Sequence, residues 1–421
     1  MSTLSFAVAG SAATAGLMAT VEVCSWNNRS LPCVRSTVSV SVTGTRVEVP
    51  LTIKDAQLWW PGTPGAEVAN IYTANVTLSN GASRSIRYGV KQMKMEGYIM
   101  MNGERLYLRG YGDDGMYATT AAPPAERGYF EKTLRNMKDL GFNFIRFHTH
   151  NMPEEVFDVA VELGMMSDPE SAMNYGFPCD LNGCSADDKL THAMISRSFK
   201  SNVHRQSHRP SIFGWVLSNE IAFTRAGAGG NSGFKNNMFA QLYLISKTFD
   251  PERPVWFLDS ADFSMPSIEA LANLKCHAHD VQPGDNTSCA VGSECLYQCC
   301  FQDVLVLQAG WSHVESWYGV DKGSGLPTSL PVPNLLHEAV DARNFLRLEV
   351  NAESYANSNI KGDQLWYAQS IEKMRDLGLL AENSAWSTAS ERYYSQVLKT
   401  FFENYHLDAT TSGYELWLTW D

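Results

Sequence analysis

Residues 129–148 read YFEKTLRNMKDLGFNFIRFH, and this stretch decides the fold. Its first part, Tyr129–Leu140, has the apolar spacing of a helix, and Gly141 follows at the point where a helix is expected to end. Phe144–Phe147 is then a short run of β-forming residues. A helix that leads directly into a buried strand is the repeating unit of a parallel sheet, so the stretch predicts an α/β fold.

The same alternation of helix and strand continues along the chain on both sides of this stretch. Pro153–Leu163 predicts a second helix that Gly164 ends. From Gly97 onward, eight short segments rich in β-forming residues are separated by helical stretches. They are Arg105–Arg109, Phe144–Phe147, Gly164–Asp168, Ile212–Leu217, Val255–Leu258, Leu274–His277, Asn334–His337 and Tyr414–Leu418. Eight such units predict a (β/α)8 TIM barrel over residues 93–421, in which chemistry is expected at the C-terminal ends of the strands.

The first 92 residues follow a different pattern. Segments such as Ser36–Val42 and Ile71–Leu78 alternate apolar with polar residues, and Gly, Asn and Pro interrupt them. A period of two is typical of strands with one face buried. We therefore expect a small antiparallel β-sandwich over residues 1–92, ahead of the barrel.

The amino-acid composition and net charge limit the kinds of molecule that the protein is expected to bind. The chain has 421 residues, 44% of them hydrophobic and 11% aromatic, which excludes a disordered protein. Its 33 Lys and Arg against 45 Asp and Glu give a net charge of −12, which argues against nucleic acid as a partner. No apolar run reaches the roughly 20 residues that a membrane helix needs, so no membrane partner is expected. The aromatic residues fit either a core or a sugar-binding cleft.

Cysteines and glycosylation sequons bear on the compartment. Nine cysteines are present, five of them within residues 276–300, and three sequons begin at Asn28, Asn75 and Asn286. Disulfides and sequons favour a secretory route, to the outside of the cell or a lysosome-like compartment. The alternative is free thiols and chance sequons. The opening 18 residues carry no basic residue ahead of their apolar part, so they predict no signal peptide. The Cys and His residues of segment 276–300 lack the paired spacing of a zinc site, and no metal is predicted.

Two glutamates stand at the ends of apolar strands. Glu220 ends the segment WVLSNE, and Glu338 ends NLLHE. A carboxylate is costly to bury there without polar neighbours to hold it. Two carboxylates that face each other across a barrel mouth are what glycoside hydrolysis requires, one as proton donor and one as nucleophile. Alternatively, each glutamate pairs with an arginine or caps a helix. Glu349 and Glu353 remain alternative nucleophiles.

The segment RPSIFGWVLSNE, residues 209–220, resembles the acid/base signature of glycoside hydrolase family 2, which contains β-galactosidases, β-glucuronidases and β-mannosidases. Further motifs resemble this family in the same order along the chain. They are LWWPG at 58–62, IYTANV at 71–76, RYGV at 87–90, MNGERLYLRG at 101–110, MKDLGFNFIRFH at 137–148, SERY at 390–393 and GYELW at 413–417. The resemblance implies that the sandwich is the family's immunoglobulin-like domain, truncated at its start, and that the barrel is truncated after its eighth strand.

The resemblance also implies a mechanism. Glu220 would be the general acid/base, Asn219 would bind the sugar hydroxyl next to the anomeric carbon, and Glu338 would be the nucleophile of a retaining reaction. The implied activity is that of an exo-acting β-glycosidase on a carbohydrate or glycoconjugate, without cofactor or metal. Two alternatives stay open, an endo-acting barrel glycosidase and a truncated, inactive carbohydrate-binding homologue.

Further side chains near strand ends are candidates to shape the site. Arg146 would hold the nucleophile ionised by its charge and its fork of donors, or form an ion pair inside the barrel. His148 and His279 would donate hydrogen bonds to sugar hydroxyls, or would be wall residues. Trp417 would stack under a sugar ring, or belong to the core.

Three acidic residues complete the set. Asp113 and Asp114 follow the first predicted barrel strand, and Glu170 follows the third. Asp113 is a candidate to bind substrate at the mouth. Glu170 would support the site from behind the residues that touch the sugar.

Overall fold

The computed structural model describes most of the chain. The described residues are 2–7, 16–28, 30–40, 46–62, 69–95, 97–115, 117, 122–172, 186–219, 232–256, 305–308, 333–339, 345–357, 365–407 and 411–417. Glu220, His279 and the predicted strand Leu274–His277 lie outside them, and so do the cysteines and histidines of segment 276–300.

The N-terminal part is a two-layer arrangement of antiparallel strands. Its strands are β1 (Ser2–Ala7), β2 (Leu17–Ser25), β3 (Val34–Val40), β4 (Arg46–Leu51), β5 (Tyr72–Leu78) and β6 (Ser83–Tyr88). One sheet has the order β3-β2-β5-β6, and β1 pairs with β4 in a second sheet. Every second residue of β2 is buried, and Val21 and Val23 share a core with Val49 and Leu51 of β4. The period-two pattern of the sequence thus becomes an apolar layer between two sheets. The immunoglobulin-like assignment stays a prediction.

A close seam joins this sandwich to the second helix of the barrel. Trp59 is fully buried there and donates its indole N–H to the carbonyl oxygen of Val161 at 3.0 Å. The Gly62 N–H donates to the carbonyl oxygen of Gly164 at 2.9 Å. Gly164 has a φ of 68°, and a Cβ there would lie 2.6 Å from the Gly62 nitrogen. Glycine is therefore required at 164 both to end the helix and to let the two parts approach. A small sheet follows, of β7 (Met93–Met95), β8 (Ile99–Met101) and β9 (Glu104–Arg105).

The described residues of the second part of the chain include eight parallel strands. They are β10 (Leu108–Asp113), β11 (Phe144–Phe147), β12 (Met166–Pro169), β13 (Trp215–Val216), β14 (Val255–Trp256), β15 (Leu305–Gln308), β16 (Asn334–Ala339) and β17 (Thr411–Leu416). Six of them pair in the order β12-β11-β10-β17-β16-β15, and β13 pairs with β14. Two isolated bridges, Ser167 with Ile212 and Glu170 with Val216, connect the β12 region to the β13 region. The last strand thus pairs with the first, as in a (β/α)8 barrel. Within the described ranges, no pairing joins β14 to β15.

Helices lie between these strands. They are α1 (Arg127–Asp139), α2 (Glu154–Leu163), α3 (Ala186–Gln206), α4 (Ser232–Phe249), α5 (Leu348–Ala356), α6 (Leu365–Asp376) and α7 (Asn383–Leu407), with a 3-10 turn at Leu380–Glu382. The largest core packs α1, α2 and α3 against the strands through residues such as Leu134, Phe157 and Phe199. Among the described residues, no helix combines the length and the apolar character needed to cross a membrane.

Several barrel strands differ in their bounds from the sequence prediction. The strand predicted at Ile212–Leu217 is Trp215–Val216, and the strand predicted at Tyr414–Leu418 is Thr411–Leu416. The first barrel strand was predicted at Arg105–Arg109 but runs from Leu108 to Asp113. The reason is a tight turn at Asn102 and Gly103, both with positive φ, which folds Glu104–Arg105 back onto β8 before the barrel begins. Leu305–Gln308 is a strand that the sequence analysis did not predict.

Candidate active site

Arg146, near the end of β11, is the centre of a buried polar cluster under the barrel mouth. Its side chain is 2% exposed. The guanidinium donates from Nε to Glu170 Oε1 at 2.6 Å and from Nη2 to Asn219 Oδ1 at 2.6 Å. Nη1 donates to Glu338 Oε1 at 3.2 Å and to Glu415 Oε2 at 3.3 Å. Four strand ends thus converge on one arginine, which fits the rigid fork of donors that only arginine offers.

The charge of Arg146 is fixed by its surroundings. Burial lowers the pKa of the guanidinium, but the negative charges of Glu170, Glu415 and Glu338 outweigh burial, so the pKa lies well above its ordinary value. The cation is therefore permanent, and it places a positive charge beside the Glu338 carboxylate. This environment suits a carboxylate that must attack as an anion.

Glu338 stands on an irregular piece of β16. In the pairing with β17, Leu336 lies opposite Tyr414 while Ala339 lies opposite Leu416, so β16 uses one more residue than its partner. This is a β-bulge, a feature that re-aims side chains beside active sites. Glu338 also has a φ of 49°, in the left-handed region that residues with a side chain rarely adopt. Its carboxylate is 13% exposed, which leaves it in contact with both Arg146 and the mouth.

Glu170 and Asn219 are held entirely inside the protein. Both are 0% exposed. Besides Arg146, Glu170 accepts a hydrogen bond from the backbone N–H of Thr149 at 2.8 Å through Oε2. Glu170 therefore lies behind the mouth and fixes the arginine and the loop after β11. Asn219 places its amide beside the same guanidinium, one residue before Glu220.

Trp417 and His148 form one wall of the site. The two rings meet edge to face at 4.9 Å between centroids, and Arg146 Cζ lies 5.7 Å from the centre of the Trp417 ring. His148 Nδ1 is 2.6 Å from Asp114 Oδ1, which orients the imidazole. Trp417 is half-buried.

Asp113 has a local role in its loop. Its Oδ1 accepts from the N–H of Gly115 at 2.8 Å, and its Oδ2 accepts from the hydroxyl of Tyr117 at 2.7 Å. Burial, followed by the charge of Asp113, raises the pKa of Tyr117, which keeps this hydroxyl a donor. Asp113 therefore orders the loop after β10, at the edge of the site, and both of its carboxylate oxygens are already engaged.

Two buried acids belong to the cluster although the sequence analysis did not select them. Glu415 lies in the interior of β17 and Asp168 in β12, opposite Arg146 in the parallel register. Burial and then the charge of Glu170 raise the pKa of Asp168 well above its ordinary value, against the attraction of Arg146. Asp168 therefore favours its protonated form more strongly than an exposed aspartate does. In the sequence, each is an acidic residue within a β-forming segment, a signal that does not decide which face of the strand the side chain occupies.

The structure brings six of the nine selected residues to one place, and a seventh lies beside them. Arg146, Asn219, Glu170, Glu338, His148 and Trp417 gather around the mouth, while Asp113 borders it. Glu220 and His279 lie outside the described residues. The alternative nucleophiles Glu349 and Glu353 fall on helix α5, and the Glu353 side chain is exposed there.

Comparison with known proteins bears on both the fold and this cluster. Residues 92–282 match the family description "Glycosyl hydrolases family 2, TIM barrel domain". An exo-beta-D-glucosaminidase of Streptomyces avermitilis is 25% identical over 194 residues, which cover 43% of this chain and 21% of that protein. A beta-glucuronidase of Streptococcus agalactiae is 23% identical over 382 residues, 83% of this chain and 58% of that protein. The chain therefore spans only part of each relative.

Solved structures show the same fold. The crystal structure of a family 2 beta-galacturonidase from Eisenbergiella tayi, bound to galacturonate, superposes with a TM-score of 0.58 at 16% identity, over 96% of this chain and 59% of that chain. At this identity the likeness establishes the fold alone. Together, the comparisons confirm the resemblance to glycoside hydrolase family 2 and the TIM barrel.

Proposed function

We propose that the protein is a retaining, exo-acting β-glycosidase with a carbohydrate or glycoconjugate as substrate. The match of residues 92–282 to the TIM barrel domain of glycoside hydrolase family 2 supports this proposal. The observation that carries the proposal is the contact of Arg146 with both Glu338 and Asn219 at the C-terminal ends of barrel strands. This arrangement supports an ionised nucleophile on β16 beside an amide that follows β13, at the end of the barrel where chemistry occurs.

The proposed reaction has two steps. In the first, the Glu338 carboxylate attacks the anomeric carbon while Glu220 gives its proton to the leaving oxygen, which forms a covalent glycosyl-enzyme. In the second, Glu220 takes a proton from water, and that water displaces Glu338. Arg146 keeps Glu338 ionised, Asn219 binds a hydroxyl of the sugar, and the half-buried face of Trp417 receives the sugar ring. Neither step uses a metal or a cofactor.

Trapping the intermediate tests the proposal. Incubation with a panel of 2-deoxy-2-fluoro β-glycosides, followed by peptide mass spectrometry, should place one sugar on Glu338. Glu338→Gln should reduce turnover of aryl β-glycosides by several orders of magnitude and keep the unfolding transition of the wild type. A label on Glu353 or elsewhere, or near-normal activity of the Gln variant, would refute the assignment.

The acid/base role of Glu220 has a separate signature. Glu220→Ala should slow substrates with poor leaving groups far more than activated aryl glycosides, because only the former need the proton. Equal losses on both classes of substrate would contradict the role.

The same panel separates the alternatives. Release of a monosaccharide from an oligosaccharide supports exo action, whereas shorter oligosaccharides as first products support the endo-acting alternative. An aryl glycoside screen that includes galactosides, glucuronides, mannosides and glucosaminides identifies the sugar. Binding without turnover of any member supports the inactive carbohydrate-binding alternative.

We also propose that the chain follows a secretory route. The disulfide between Cys24 and Cys33, which closes the hairpin of β2 and β3, supports an oxidising compartment. Asn28 lies exposed inside this loop at the first sequon. Mass spectrometry of the protein isolated without reductant should find the Cys24–Cys33 link, and two free thiols at these positions would oppose the proposal.

A further inference from the structure

Glu415 occupies an unusual place for a charged side chain. It lies in the interior of β17 and is 1% exposed. A Cβ at Gly112, on the neighbouring strand β10, would come within 2.6 Å of its Oε1. The missing side chain at 112 thus provides the space in which the carboxylate lies. Burying a charge at this depth is costly unless specific partners hold it.

Glu415 contacts two residues of the site. Its Oε2 accepts from Arg146 Nη1 at 3.3 Å and from the backbone N–H of Glu338 at 3.3 Å. The second contact falls on the bulge of β16, where the extra residue takes this N–H out of the regular ladder. The Glu415 carboxylate on β17 therefore accepts the Glu338 N–H, which a backbone carbonyl would accept in a regular sheet. Glu338 is the one residue of β16 with a left-handed backbone.

We propose that Glu415 is a positioning residue, which holds the bulged backbone of Glu338 in its left-handed conformation and shares Arg146 with the Glu338 carboxylate. The expected effect of Glu415 on catalysis rests on the proposed function. The contacts of Glu415 with Arg146 and Glu338 do not depend on that function. A left-handed residue with a side chain is strained and persists only where its surroundings fix it. Glu415 supplies that fixation from behind, away from the substrate.

Two substitutions at 415 separate the hydrogen bond from the charge. Glu415→Gln keeps an oxygen that accepts from both donors, whereas Glu415→Leu removes acceptor and charge together. We expect kcat for an aryl β-glycoside to fall at least about 100-fold in the Leu variant, with KM within about 3-fold of the wild type. The Gln variant should recover most of this loss, because orientation affects the transition state more than ground-state binding.

The effect of the Glu415 charge can be measured separately, in the pH dependence of kcat/KM. The charged groups that face Glu415 are Arg146 on β11, Asp168 and Glu170 from β12 and its flank, and Glu338 on β16. When Glu415→Gln removes one anion, Arg146 is shared by fewer carboxylates. The acidic limb of kcat/KM should then move to lower pH, a change that a purely structural role of Glu415 would not produce.

Gly112→Ala provides a test that leaves both charges in the protein. The added methyl group would displace the Glu415 carboxylate, so kcat should fall at least about 100-fold. Gly112→Ala therefore tests the proposal even if Glu415→Leu fails to fold. Asp250→Asn is the matched control, since Asp250 is a buried carboxylate that pairs with Arg253 and Trp215 outside the site. It should keep kcat within about 3-fold and leave the acidic limb in place.

Hydrogen exchange makes the test independent of turnover. In peptides that contain Glu338, the amide should exchange at least about 10-fold faster in the Leu variant than in the wild type, and near the wild-type rate in the Gln variant. A wild type without glycosidase activity would refute the proposed function, while the exchange result would still decide the role of Glu415. Unchanged exchange in the Leu variant, or a loss of kcat in Asp250→Asn equal to that at 415, would overturn the proposal.

Discussion

Asp168→Asn tests the charge balance of the buried cluster through stability. Asp168 is 2% exposed, and its Oδ1 has no hydrogen-bond partner among the described residues. Burial and then the charge of Glu170 raise its pKa well above the ordinary value of 3.8. The folded protein therefore holds a proton on Asp168 at a pH where the unfolded chain has released it.

The sign and size of the effect follow from proton linkage. A group with a raised folded pKa contributes its full stability below the unfolded value of 3.8, and this contribution is lost as pH rises toward the folded value. In that window the unfolded state binds one proton fewer than the folded state. The free energy of unfolding of the wild type should therefore fall by about 1.4 kcal/mol per pH unit relative to Asp168→Asn, which has no proton to bind.

Urea unfolding at several pH values measures this difference. As the pH rises above the unfolded value of 3.8, the curve for Asp168→Asn should diverge upward from that of the wild type. The offset at the acidic end depends on how well the new amide is hydrogen-bonded, but the slope does not. Asp376→Asn, which changes an exposed residue on α6, should stay within about 0.5 kcal/mol of the wild type throughout. Parallel curves for the wild type and Asp168→Asn would refute a buried neutral Asp168.

Three further outcomes are expected. Arg146→Met should lower the free energy of unfolding by about 3–5 kcal/mol, because it leaves Glu170 and Glu415 buried without their cation; urea unfolding measures this, and a loss below about 1 kcal/mol would contradict the buried network. The double substitution Cys24→Ser and Cys33→Ser should lower the free energy of unfolding by about 2–3 kcal/mol, because the disulfide closes a loop with a sequence separation of 9 and restricts the unfolded chain. An unchanged urea midpoint of the double variant would contradict this expectation. Trp417→Ala should raise KM for aryl glycosides up to about tenfold, since ring stacking contributes about 0.5–1.5 kcal/mol, and an unchanged KM would exclude sugar stacking on Trp417.

Local signals made parts of the barrel predictable. The helix before Gly141 and the strand Phe144–Phe147 are fixed by spacing, a helix-ending glycine and β-forming residues, and the structure has the strand at these bounds. The position of Arg146 near the end of that strand follows directly. The order of the strands also follows, because neighbouring units of an α/β chain pair in sequence.

Glu415 was missed because its direction depends on contacts far along the chain. In the segment GYELW, the glutamate alternates with apolar residues, and either face of the strand is compatible with that pattern. The register with β10 and β16 decides that it points inward, and the space opposite Gly112 decides that it fits. The bulge at Glu338 could not be predicted for a similar reason. A bulge depends on how two strands pair, so the sequence of one strand does not reveal it.

The interior of a (β/α)8 barrel is normally filled by layers of branched apolar side chains. Here the parallel register places Gly112, Arg146 and Asp168 at one level, and Glu415 fills the space that Gly112 leaves. One level of the core is thus made of charge and hydrogen bonds, directly beneath Glu338. Removal of a single member of such a buried network exposes the others to the full penalty of burial. Stability and orientation of Glu338 therefore depend on the same side chains, so substitutions at Arg146 or Glu415 should affect both, whereas those at Trp417, on the wall of the mouth, should affect substrate binding with little change in unfolding.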